Sequence, residues 1–177
     1  MSMELIDALA WMLFGATLLE RLMELIVSKR NEAWSFSQGG VEYGEGHYKW
    51  MVVMHSLFLA AMTAEFLWMG STIDVSVRMG AMAVAVLCQL LRWWVITTLG
   101  KQWNTRVIIV PGLKRVTSGP YRFLSHPNYV VVAIETFTLP LIFGSWRTAL
   151  VFSILNVLMM RVRIRVENQA LLSLKAI

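Results

Sequence analysis

The sequence predicts an all-α integral membrane bundle of five transmembrane helices, and three observations carry that expectation. Of 177 residues, 57% are hydrophobic and 15% charged, with mean hydropathy +0.59; soluble domains run near 45–50% apolar and about 25% charged. Five apolar stretches recur along the chain, interrupted by isolated charges rather than by the continuous polar face of a soluble amphipathic helix. Lysine and arginine fall mainly after the first, third and fifth stretches, which sorts the connections into two sides.

In order, the expected spans are about 5–27, 51–70, 79–99, 128–143 and 148–162, forming one polytopic domain over 1–177. A crossing helix needs about 20 residues; the first three stretches fit and the last two borrow flanking residues. Met1-Ser-Met-Glu4 has no basic segment, so the first stretch is expected to be a retained helix and not a cleaved leader. Glu20, Arg21 and Glu24 form one helical cluster there, expected to pair with itself at the interface. His55, inside the second span, reads as a packed core histidine, or with His126 as one of two haem ligands. The connections 71–77 and 144–147 are short turns, whereas 28–49 and 100–126 are each over twenty residues long. Loops of that length in a compact protein are usually functional or disordered, and Trp34, Tyr43, Trp103 and Tyr121 argue against disorder. Gly39, Gly40, Gly44 and Gly46 show no strand context and read as flexibility.

Lys29, Arg30 and Lys49 follow the first span; Lys101, Arg106, Lys114, Arg115 and Arg122 follow the third; Arg161, Arg163, Arg165 and Lys175 follow the fifth. That places twelve of sixteen basic residues on one side, with Arg78 and Arg147 opposite. By the positive-inside rule the N-terminus is outside, while both long loops and the C-terminus are cytoplasmic. The net charge of +5 therefore belongs to a membrane surface and not to a nucleic-acid partner. Cys88 is the lone cysteine, which excludes a disulfide scaffold, thiol-redox chemistry and cysteine-ligated metal; no metal site is expected. No Gly-x-Gly-x-x-Gly follows a strand pattern, so a doubly wound nucleotide-binding domain is excluded as well.

Two segments carry chemistry. Val116-Thr-Ser-Gly-Pro-Tyr-Arg-Phe-Leu-Ser-His-Pro-Asn-Tyr129 leads into the fourth span. Pro127 suits the first helical position and pushes His126 out of helical geometry. The amides of Asn128, Tyr129 and Val130 are then expected to be unpaired, forming an anion site at a helix N-terminus. A plain interfacial helix start, with Tyr129 in the aromatic belt, is the structural alternative. After the fifth span, Arg163 and Glu167 lie four apart on one helix face. Arg161 and Arg165 share another face and suit lipid phosphates. Glu135 lies inside the fourth span, where a carboxylate is costly and a functional candidate; pairing with Arg92 is its structural alternative.

Together, Val116–Tyr121, His126-Pro-Asn-Tyr129, and Arg163 with Glu167 and Leu171 resemble the isoprenylcysteine carboxyl methyltransferase family over about 100–174. Glu20-Arg-Leu-Met-Glu-Leu25 and Lys29-Arg-Asn-Glu32 resemble a short bacterial branch, some of whose members are linked to O-methylation of lipidic polyketides such as alkylpyrones and alkyl quinols. The resemblance implies S-adenosyl-L-methionine as methyl donor and S-adenosyl-L-homocysteine as product, in a cytosolic pocket formed by the 100–126 loop and the C-terminal helix. It implies Arg106, Leu113, Lys114, Arg115, Val116, Tyr121, His126, Pro127, Asn128, Tyr129 and Glu167 as donor-binding residues, with Arg163 orienting the acceptor. Ser125 stands where the family often has arginine. The implied setting is a bacterial plasma membrane. The expected acceptor is a lipophilic small molecule, a polyketide-type phenol or enol, with the prenylcysteine carboxylate of the family's name as the alternative. A carboxylate needs no base, whereas a hydroxyl is better served by a proton acceptor; Glu135 is the candidate for that task. Membrane sterol reductases that use NADPH have similar turns and are a further alternative.

Overall fold

The computed structural model describes residues 2–173; Lys175, counted above with the basic side, and the last residue of the 100–174 region lie outside the described residues. The helices are α1 (Met3–Ser37), α2 (Glu45–Met69), α3 (Val75–Leu99), α4 (Pro127–Phe143) and α5 (Trp146–Ser173). Two short strands, β1 (Val41–Tyr43) and β2 (Val107–Ile109), and 3-10 turns at Gly100–Gln102 and Gly119–Arg122 complete the elements among the described residues. The fold is all-α with five helices, as expected. Two of them, over Tyr48–Met69 and Val75–Gln102, are long and apolar enough to cross a membrane, while Pro127–Phe143 is a shorter apolar helix.

The apolar residues face outward. Only 11% of the apolar window of α2 is buried, and Leu57, Leu67, Trp68, Leu87, Leu90 and Ile154 are mostly exposed. In water this would be an apolar surface larger than soluble monomers carry; against hydrocarbon it is ordinary. The interior cluster is small: Ala10, Phe58, Met62, Ala81, Ala85, Leu139, Ile142 and Phe143. Ala81 and Ala85 let the α3 backbone approach α4 closely, the usual device between membrane helices. Helix α4 packs along both α3 and α5 and forms the centre of the bundle.

Hydropathy marks where the apolar stretch ends, not where the helix ends. Helix α1 continues ten residues past the expected boundary at 27 to Ser37, because Lys29, Arg30, Glu32 and Ala33 are good helix formers. Most of the expected 28–49 loop is therefore helix. What remains is a tight reversal: Gly39 has φ +79°, and a Cβ on Gly40 would lie 2.6 Å from the Ser35 carbonyl oxygen. Gly39 serves a left-handed turn and Gly40 a close approach, not flexibility. They deliver β1 antiparallel to β2, with Val41 opposite Ile109 and Tyr43 opposite Val107. The β-branched run Val107-Ile-Ile109 suits this ribbon, which the all-α expectation lacked.

Several charges inside the apolar stretches find partners on another helix, although Glu20 Oε1 is buried with no hydrogen-bond partner among the described residues. Arg78, assigned by its position to an outer surface, is fully buried. Its Nη2 donates to Asp7 Oδ1 at 2.6 Å and its Nε to the Ile142 carbonyl at 2.8 Å. Glu65 accepts from the Thr148 amide at 2.8 Å and hydroxyl at 2.7 Å, and from the Arg147 amide at 3.2 Å, so α2 caps the start of α5 with negative charge. The cluster on α1 does not pair only with itself, since Arg21 also reaches Gln89 at 2.9 Å and Glu135 at 3.1 Å.

Gly144 ends α4 at φ +83°, and a Cβ there would lie 2.5 Å from Ser71 Oγ. A left-handed non-glycine residue costs about 1–3 kcal/mol. Gly144→Ala should therefore lower stability by about 1–3 kcal/mol, read as an earlier thermal transition in nanodiscs; an unchanged transition would show that the turn relaxes freely.

Candidate functional site

At the end of the bundle that carries the ribbon, a cleft of about 200 Å³ with mixed polar and apolar walls lies between β2, the segment leading to α4, the first turn of α4 and the second half of α5. Pro127 starts α4, and His126 stands outside it at φ −137°. The Tyr129 amide bonds back to the His126 carbonyl at 3.1 Å. One of the three amides expected to be free is thus taken, and the His126 side chain does not cap the others.

This start aims Tyr129 at α5. Its hydroxyl donates to the Glu167 carboxylate and accepts from Arg163 Nε at 2.9 Å. His126 stacks on Tyr129, with ring centroids 5.2 Å apart and planes 21° from parallel. His126 Nδ1 lies 3.6 Å from Glu167 Oε1. Arg163 Nη2 donates to the Thr105 carbonyl at 2.6 Å, and Nη1 lies 3.0 Å from Met51 Sδ. The two sequence segments therefore meet in one network, with Tyr129 at its middle.

Glu167 lies on the part of α5 beyond the apolar stretch. Burial pushes its carboxyl up, but hydrogen bonds from His126 and Tyr129, with the charges of His126 and Arg163, outweigh this and hold it below the usual carboxylate range. Burial and the Glu167 charge push the Tyr121 phenol up, so it stays protonated.

Leu113, Arg115, Val116, Tyr121, His126, Asn128, Tyr129, Arg163 and Glu167 line the cleft. Lys114 does not: its side chain is exposed, and its carbonyl accepts from Gln102 at 3.4 Å. Pro127 is buried as the helix-starting residue and does not line the cleft either. Arg106 borders the cleft with its charge already engaged, by Glu42 at 3.1 Å, Glu32 at 3.4 Å and the Tyr48 ring at 5.2 Å.

Glu135 is elsewhere. It lines a second, mostly apolar cavity of about 340 Å³. Arg92 Nη2 donates to it, as do Gln89 Nε2 at 2.8 Å and Arg21 Nη2 at 3.1 Å. Arg92 also lies 3.5 Å from Glu24 and 3.4 Å from Asn128 Oδ1. The expected Arg92–Glu135 pair exists as part of a larger network drawn from three helices. His55 lines this second cavity while His126 lines the cleft. The two histidines do not converge on a shared haem site.

The two cavities share a wall of Trp103, Asn104, Asn128, Tyr129 and Arg163. Trp103 Nε1 and Asn104 Oδ1 are buried in it with no hydrogen-bond partner among the described residues. Sequence reasoning took Trp103 only as a sign of order and passed over Asn104. Their loop is tied to α1: Asn31 Nδ2 donates to the Gly100 and Trp103 carbonyls at 3.0 and 2.8 Å, and the Thr105 amide donates to Ser28 Oγ at 2.8 Å.

Compared with known proteins, residues 81–173 match the family described as isoprenylcysteine carboxyl methyltransferase (ICMT). The match starts within α3, earlier than the resemblance over 100–174. Uncharacterized protein YpbQ of Bacillus subtilis (strain 168) is 38% identical over 161 residues, 91% of this chain and 95% of that protein. An uncharacterized protein of Haemophilus influenzae is 28% identical over 163 residues, 89% of this chain and 92% of that protein. No solved structure matches the chain.

Proposed function

The chain belongs to the isoprenylcysteine carboxyl methyltransferase family, and from that premise we propose that it is an S-adenosylmethionine-dependent O-methyltransferase for a lipophilic hydroxyl acceptor at the cytosolic face of a bacterial plasma membrane. The observation that carries this is the shared wall, where a cleft of mixed lining and a mostly apolar cavity meet at Tyr129 and Arg163. The donor suits the cleft and the lipid suits the cavity.

The cleft's own groups fit the donor. Glu167 lines the cleft with its carboxyl held ionised, and would accept hydrogen bonds from the donor's amine or ribose hydroxyls. The first turn of α4 suits a carboxylate, and the face of Tyr121 suits a cationic sulfur; the Tyr129 ring is already engaged by His126 and Arg163. Trp103 Nε1 and Asn104 Oδ1 offer an unpaired donor and acceptor at the wall. Bound there, S-adenosylmethionine supplies an electrophilic methyl group. Arg163 does the positioning: Tyr129, Thr105 and Met51 hold its guanidinium at the wall, where it orients the acceptor oxygen. Such alignment of two reactants is worth up to ~7–11 kcal/mol. Residues from about 100 onward bind the donor and orient the acceptor, and α1 and α2 line the lipid side.

Calorimetry on the full chain in nanodiscs tests this. Adenosylhomocysteine should bind and NADPH should not; the reverse would assign a reductase. Arg106→Ala should leave adenosylhomocysteine affinity within about fivefold, because partly exposed ion pairs are worth about 1 kcal/mol or less. A larger loss would return Arg106 to the donor site.

A further inference from the structure

His55 is a polar side chain in the apolar cavity with no role in the account above. It sits one turn after Met51 on the face of α2 that lines the cavity, and Met51 Sδ touches Arg163. His55 Nδ1 lies 2.8 Å from the Met51 carbonyl. A carbonyl only accepts, so Nδ1 carries the ring proton and the neutral imidazole keeps a lone pair on Nε2. No hydrogen bond to Nε2 is formed among the described residues, whereas both oxygens of Glu135 are occupied by Arg92, Gln89 and Arg21. Of these two groups in the cavity, the histidine is the one free to take a proton.

We propose that His55 is the general base of this enzyme, its Nε2 taking the proton of a phenol or enol hydroxyl lodged in the apolar cavity. The inference rests on the methyltransferase function proposed above and narrows its acceptor to an acidic lipid hydroxyl. The O–H proton passes to Nε2, giving imidazolium. The oxygen electron pair forms the new C–O bond as the methyl–sulfur bond breaks, and that bond's electrons return to sulfur. A methyl ether and a neutral thioether result, and the positive charge once on sulfur ends on the imidazolium, which then releases its proton to water. Glu24 and Glu135 favour that imidazolium, while Arg21, Arg92 and Arg163 oppose it; all five line the same cavity. A carboxylate acceptor is already ionised and needs none of this.

The test reads the proton before any methyl transfer. A long-chain alkyl nitrophenol is added to the full chain in nanodiscs without donor, and its phenolate absorbance is compared with that in empty nanodiscs. Wild type should show excess phenolate; His55→Ala and His55→Gln should fall to background while keeping adenosylhomocysteine affinity. With donor present, methylation of a long-chain alkylphenol should fall roughly 100-fold in both. Equal phenolate signals in wild type and variants, no dye bound, full alkylphenol methylation by the variants, or a wild type that methylates N-acetyl-S-farnesylcysteine alone would each overturn the proposal. A wild type that ionises the dye but binds no adenosylhomocysteine would instead remove the methyl-donor assignment, and the transfer step with it.

Discussion

Replacing Glu167 by glutamine weakens adenosylhomocysteine binding by at least about 30-fold. Removing one partner from a buried, hydrogen-bonded charge pair costs about 2–5 kcal/mol, and each ~1.4 kcal/mol is tenfold in affinity. Glu167 is half-buried and hydrogen-bonded, and a bound amine would complete such a pair: it receives the Tyr129 hydroxyl, stands 3.6 Å from His126 Nδ1 and faces the cleft. The amide has the same shape without the charge, so the loss reports electrostatics and not volume. The carboxyl is held below its usual range. Affinity should therefore stay level from neutral into mildly acid pH and decline only as Glu167 protonates. Calorimetry across pH checks both parts; unchanged affinity in Glu167→Gln would take this residue out of the donor site.

Arg163→Lys should lower turnover about 10²–10³-fold while donor affinity changes little. A guanidinium serves the Tyr129 hydroxyl, the Thr105 carbonyl and the Met51 sulfur at once; an ammonium keeps the charge but not the planar fork. Misplacing a reacting group by about 1 Å costs ~10²-fold, and losing a positioned donor at the reacting centre costs ~10²–10³-fold. Single-turnover rates beside calorimetry separate the two quantities. Full turnover in the variant, or a fall in affinity that matches the fall in rate, would end the orienting role of Arg163.

The parts of the site legible in the sequence were those set by local rules. Pro127 fixes where α4 begins and so where Tyr129 points, and a four-residue spacing puts Arg163 and Glu167 on one face of α5. What stayed hidden depends on partners far along the chain. The strand at Val107–Ile109 exists only because Gly39 and Gly40 turn β1 toward it. Arg78 is buried because Asp7, 71 residues earlier, meets it. Glu135 drew attention as an intramembrane carboxylate, but its three donors come from α1 and α3. Trp103 and Asn104 occupy the wall between the cavities through a loop whose path is set by Asn31 and Ser28 on α1, and no motif announces that.

The length of α1 has a mechanical consequence. Its 35 residues, at ~1.5 Å each, extend roughly 50 Å, against a hydrocarbon layer of ~30 Å. The helix is longer than that layer is thick, a mast to which Asn31, Ser28 and Ser35 are the cleats that make the Gly100–Thr105 rope fast. When the mast leans, the rope leans too, so the roof over the cleft follows the tilt of the first helix.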